Sequence, residues 1–197
     1  MNPKHFKIPT TLFVLLMLIS QAYAQLDPER EKMSREYIRQ FAEDTFALAE
    51  PNTHQALINA MSKIPKTVFE DITQNERPIV FVHHYTQHIA RFANSTEFIV
   101  EADDPPTFVK GFFLVNLGDE LNSSSNIQAI EGVIYHEIAH RVLENLRSDR
   151  EVCDLEREAN QLIKAWGLQE EFLQAKEVFG AKKKGDSPCH DKIKTFE

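Results

Sequence analysis

Cysteine is scarce: Cys153 and Cys189 are the only two in a chain of 197 residues. Two are too few for a disulfide-dense miniprotein or for a zinc module built from four cysteines. Glycine is scarce too, and six glycines exclude a collagen-like repeat. Basic residues are outnumbered, 22 Lys+Arg against 30 Asp+Glu, for a net charge of −8. Such a balance lacks the basic face needed to bind nucleic acid through its phosphates. Internal repeats and low-complexity stretches are absent from the sequence. Hydrophobic residues at 42% and charged residues at 26% match a globular chain, which sets a disordered protein aside. The length suits one domain with a small appendage.

Long apolar runs are also missing, with one exception. Residues 12–19 (LFVLLMLI) are unbroken hydrophobic, preceded by Lys4 and Lys7 and followed by Ala22-Tyr23-Ala24. This is the basic, apolar and A-x-A order of a secretory signal peptide, and the run is too short to span a bilayer. Residues 1–24 are therefore expected to be cleaved, and the protein to be secreted or periplasmic. The mature chain would be free of the membrane and more acidic, since Lys4 and Lys7 leave and no acid does. Export places Cys153 and Cys189 where two cysteines in one chain often pair, with two free thiols as the alternative.

Asp27-Pro28 is an N-cap followed by Pro at the first helical position, and Met33, Tyr37, Phe41 and Leu48 share a helix face. A helix is expected over 28–49, ended by Pro51, and a second over 53–63, ended by Pro65. Residues 78–82, 97–101 and 112–117 are β-branched or aromatic runs and predict strands. From Ile127 to about Phe179 the pattern is helical apart from breaks, and residues 182–197 form a polar tail, which a disulfide would tie back. Asn94-Ser95-Thr96 and Asn122-Ser123-Ser124 match the glycosylation sequon, a pattern common by chance.

His136-Glu137-Ile138-Ala139-His140 is H-E-x-x-H. On a helix, positions i and i+4 lie one above the other, so both imidazoles can reach one zinc at about 2.0–2.1 Å. Glu137 sits about 100° round the helix, where it can act on a water at the metal without being a ligand. Apolar residues cover most of the circumference of 127–146, so this helix should be buried. Two histidines and a glutamate buried there need something to satisfy them, and a metal does so.

A catalytic zinc usually takes a third protein ligand. The metzincin pattern needs Gly and His where this chain has Leu143 and Leu146, so that class is excluded. The next helix is expected to start near Asp149, in the capping box Ser148-Asp149-Arg150-Glu151, and to close at Trp166-Gly167. Glu156 lies at the margin of its apolar stripe, whereas Glu158 points about 200° away. Glu156 is thus the expected third ligand, with a surface acid as the alternative. Asn160, one turn on, could accept the free ring N–H of a zinc histidine.

H-E-I-A-H followed by E-R-E-A-N resembles the H-E-x-x-H…E-x-x-A-(D/N) signature of gluzincin metallopeptidases. The resemblance covers about residues 133–167. It implies His136, His140 and Glu156 as zinc ligands, Glu137 as general base and Asn160 as a ligand support. Arg141 departs from the pattern, which usually has an uncharged residue after the second histidine. The implied fold is α+β and zincin-like, with a small twisted sheet, a metal-binding helix and a following ligand helix, over residues 25–181. The implied activity is zinc-dependent hydrolysis of a peptide or protein substrate. A zinc hydrolase of a non-peptide amide and a non-catalytic exported zinc protein are the alternatives.

Residues 111–116 are the candidate substrate-pairing strand, by position, with an ordinary core strand as the alternative. For an oxyanion donor the candidates are His190, brought near Glu156 by a Cys153–Cys189 bridge, then Tyr135, Tyr85 and His88. His83, His84 and His88 form a second histidine group, read as a surface or substrate-side cluster rather than a second metal site.

Overall fold

In a computed structural model of the chain, the described residues are 27–74, 77–84, 92–102, 109–143, 151–180 and 189. The expected signal peptide lies outside them.

The first element, α1 (Pro28–Phe41), starts as its sequence requires. The Asp27 side chain accepts from the Glu29 amide at 3.1 Å, Pro28 occupies the first turn, and Glu29 and Glu31 face the positive end of the helix dipole. The single helix expected over 28–49 is not formed. Ala42 adopts extended backbone and bridges Phe81, while the Glu43 amide donates to the Phe81 carbonyl at 3.0 Å. The chain thus leaves the helix to pair with a strand, and α2 (Asp44–Ala49) begins only afterwards. Next come α3 (Pro51–Lys63) and α4 (Lys66–Gln74); the latter had no counterpart in the sequence reading.

Three strands follow: β1 (Ile79–His84), β2 (Ala93–Ala102) and β3 (Val109–Gly118). They form one sheet in the order β1-β3-β2, with β3 parallel to β1 and antiparallel to β2. The fold is mixed α+β. Phe113, Val115 and Leu117 of β3 and Ile79 and Phe81 of β1 alternate onto one fully buried face. The register of β2 is fixed where its backbone comes closest to β3. A Cβ on Gly111 would lie 1.9 Å from the Phe98 carbonyl oxygen, so only glycine fits, and the Phe98 and Phe112 rings stack at 4.8 Å.

After a short turn of helix, α5 (Asp119–Asn122), the chain enters α6 (Ile127–Leu143), then α7 (Val152–Ala165) and α8 (Gln169–Phe179). Of the expected capping box only Glu151 is described; it is the N-cap residue of α7 and makes no side-chain cap bond. The break between α7 and α8 is the expected one. Gly167 takes φ +77°, and the Leu168 amide reaches back to the Ile163 carbonyl at 3.2 Å.

α6 is the centre of the molecule. Ile130, Ile134, Tyr135, Ile138 and Ala139 are fully buried, as its apolar circumference predicted. It packs against α3, α7, α8 and β2. Arg141, the departure from the gluzincin pattern, is buried too. Its guanidinium donates to the Arg77 carbonyl at 3.4 Å and meets Asp71 at 3.3 Å, which ties the end of α6 to α4 and to the entry of β1. Cys153, in the first turn of α7, is disulfide-bonded to Cys189. Among the described residues no helix is long and apolar enough to cross a membrane.

Candidate metal centre

The side chains that could hold a metal come from two consecutive helices. α6 supplies His136 and His140, one turn apart, and α7 supplies Glu156. His136 Nε2 and His140 Nε2 are 3.1 Å apart. Glu156 Oε2 lies 3.0 Å from His136 Nε2, and Oε1 lies 3.4 Å from His140 Nε2. Ligands held tetrahedrally at zinc distances stand about 3.3 Å from one another. The three contacts are of that size, with Oε2 and Oε1 of Glu156 each facing a different imidazole. Among the described residues this is the one group of three that could hold a metal.

The chemistry of the donors points the same way. Each imidazole can donate from Nε2 to the carboxylate, which satisfies two edges. The third edge then sets one N–H against the other at 3.1 Å. A cation in the centre removes the conflict, because all three groups then present lone pairs inwards. Burial by itself pushes the Glu156 carboxyl up. Hydrogen bonds and charge from His136 and His140 outweigh it and hold the carboxyl well below the ordinary carboxylate range. The third donor is thus ionised and ready to ligate.

The imidazoles are held from outside. The His136 ring stacks on Phe172 of α8, with centroids 6.0 Å apart and planes at 12°. The support expected from Asn160 is not made: its Oδ1 is buried without a hydrogen-bond partner, as is His136 Nδ1.

Glu137 is 7% exposed, and its carboxylate meets β2. Ser95 Oγ donates to Glu137 Oε2. Sequence reasoning missed Ser95, because the expected strand began at residue 97. The polar run Asn94-Ser95-Thr96 carries no apolar alternation, and only pairing with β3 extends the strand over it.

Two expectations are corrected here. Residues 111–116 are no substrate edge: they belong to β3, the central strand, whose backbone is paired on both sides. Among the described residues the edge strand beside α6 is β2. Tyr135 is no oxyanion donor either. It is fully buried with its hydroxyl 3.5 Å from Glu131, and burial with the charge of Glu131 and Glu171 pushes that phenol well up.

His83 is buried, stacks on Phe46, and bonds Asp119 through Nε2 at 2.9 Å, so its role is in the core beside α5. His88, Tyr85 and His190 lie outside the described residues, although Cys189, next to His190, is held at the first turn of α7.

No protein-family model matches the chain, and neither a curated protein nor a solved structure does.

Proposed function

We propose that the protein is an exported zinc metallopeptidase of gluzincin type, with a zincin-like arrangement of sheet, metal helix and ligand helix. The observation that carries this reading is the convergence of His136, His140 and Glu156 ligand atoms within 4.8 Å of one another, beside a buried Glu137 on the same helix. Three protein donors suit a catalytic zinc, whereas closed structural sites normally have four.

A zinc ion held there supplies Lewis acidity that polarises a peptide carbonyl and activates water. His136 and His140 must be neutral to offer their lone pairs, and Glu156 offers its charge. Glu137 is the general base. Its carboxylate takes a proton from the attacking water and passes it to the departing amine, which leaves the side chain as it began. Among the described residues no strand pairs with the outer edge of β2, and that edge offers main-chain donors and acceptors to an extended peptide, a mode of binding tolerant of side chains. Export rests on the signal-like residues 1–24, and the Cys153–Cys189 disulfide suits an oxidising compartment.

The test is zinc content and turnover of casein or a peptide library, measured on the protein and on Glu137→Gln, both purified without chelator. One equivalent of zinc in both, with turnover in the parent alone, is expected. Zinc in both with turnover in neither would favour a non-peptide amide or a non-catalytic zinc protein. Absence of zinc from both would sink the metal site.

A further inference from the structure

We propose that Ser95 is the positioning residue of the general base: its hydroxyl holds Oε2 of Glu137, so that the other oxygen carries the proton transfer. The proposal rests on the hydrolase reading above. Ser95 touches Glu137 rather than a substrate, and it keeps its own proton throughout.

The argument begins with register. In the β2–β3 pair Ser95 stands opposite Val115, Ala93 opposite Leu117 and Glu97 opposite Phe113. The three β3 partners are fully buried, so this parity of β2 faces the helices. Of the three β2 residues, Ala93 has no polar atom in its side chain, and Glu97 is engaged by Arg77. Ser95 is left as the hydroxyl opposite α6. Among the described residues it is the one group whose side chain is hydrogen-bonded to the Glu137 carboxylate.

The chemistry follows from burial. A carboxylate on a side chain only 7% exposed needs a hydrogen-bond donor, and a base needs one oxygen free. A single hydroxyl donor on Oε2 satisfies both. It also fixes the plane of the carboxylate, so the free oxygen has a defined direction. The bulge between Ile99 and Glu101 lies beyond this point and leaves the register at Ser95 unchanged. A slip of one residue would turn Ser95 to the outer face and replace it with Asn94 or Thr96.

The test joins two readouts on the full chain. In turnover, Ser95→Ala should lower kcat about 10- to 100-fold with KM and zinc content unchanged, the range for losing a hydrogen bond to a charged group. Ser95→Thr, which keeps the hydroxyl, should restore most of it. In thermal melts of the metal-free protein, Ser95→Ala should lower Tm by roughly 3–10 °C, and much less in a Glu137→Ala background. Equal Tm losses in both backgrounds would show a hydroxyl that acts independently of Glu137 and would overturn the proposal. So would a rise in KM with kcat intact. If the zinc-loaded parent turns over no peptide, the peptidase reading fails and takes the kcat test of the pair with it. The melts still report separately whether the pair itself exists.

Discussion

Glu156 carries opposed forces within one side chain. It is about one-third exposed, and two imidazoles outweigh the burial that would otherwise neutralise it. Its value lies in bringing a negative charge to two imidazole nitrogens that stand 3.1 Å apart. Glu156→Gln keeps the shape and removes the charge. We expect zinc affinity to fall by more than about 100-fold, a loss above that typical of a supporting residue. Glu158→Gln, which changes an acid outside the metal-holding group, should bind as the parent does. Competition with a chromogenic chelator measures both. At this scale much of the site was legible in the sequence. His136, Glu137 and His140 are bound by helical spacing alone, and Glu156 followed from an acid at the margin of an apolar stripe. Ser95 could not be read in the same way, because it meets Glu137 across a strand–helix contact that local pattern does not encode.

The elements were legible where local forces decide them. Asp27-Pro28 begins a helix and Gly167 ends one, through caps and positive φ. They were misread where a distant partner decides. The backbone at Ala42 and Glu43 gives up helix for hydrogen bonding to Phe81, a strand 39 residues on from Ala42. β2 runs over the polar stretch 93–96 because β3 is there to pair with it. The closest helix contact is likewise tertiary. A Cβ on Gly132 of α6 would lie 2.2 Å from the Glu171 carbonyl oxygen of α8 and 2.8 Å from Ala175 Cβ. Helix backbone cannot yield as a side-chain tip can, so Gly132→Ala must push α8 outward. We expect a loss of about 1–3 kcal/mol, or roughly 2–12 °C in Tm, readable by calorimetry. Zinc binding should weaken as well, since α8 also carries Phe172, the ring stacked on His136.

At the scale of the whole molecule, buried polar groups couple stability to pH. Burial pushes the Lys63 ammonium down, but hydrogen bonds and charge from Glu131 and Glu171 outweigh it and raise it. Burial raises the phenols of Tyr37 and Tyr135. All three groups therefore keep their protons to higher pH when folded than when unfolded. Their contribution is complete below about pH 10, where the unfolded groups also hold their protons, and is lost as pH rises above it. Unfolding free energy should thus fall steeply above about pH 10, by about 1.4 kcal/mol per pH unit for each group while only the unfolded state has lost its proton. Tyr37→Phe should be less stable at pH 8, since Tyr37 bonds both the carbonyl and the amide of Ile79. It should also show a shallower alkaline decline. Denaturant melts across pH 8–11.5 give both quantities, and an unchanged slope would contradict the assignment.

What the sequence by itself determined is what short-range geometry and composition control. The i and i+4 spacing of His136 and His140, the apolar circumference of α6, the N-cap of α1, the Gly167 end of α7, and the scarcity of cysteine and of long apolar runs belong here. Each depends on residues within a few positions of one another or on totals. Tertiary structure alone decided which strand lies at the sheet edge, that Ser95 holds Glu137, that Tyr135 turns away to Glu131, and that Arg141 ties α6 to α4. Those outcomes depend on strand register and helix packing. Both are set by which buried surfaces fit together across the chain, and no local pattern carries that information.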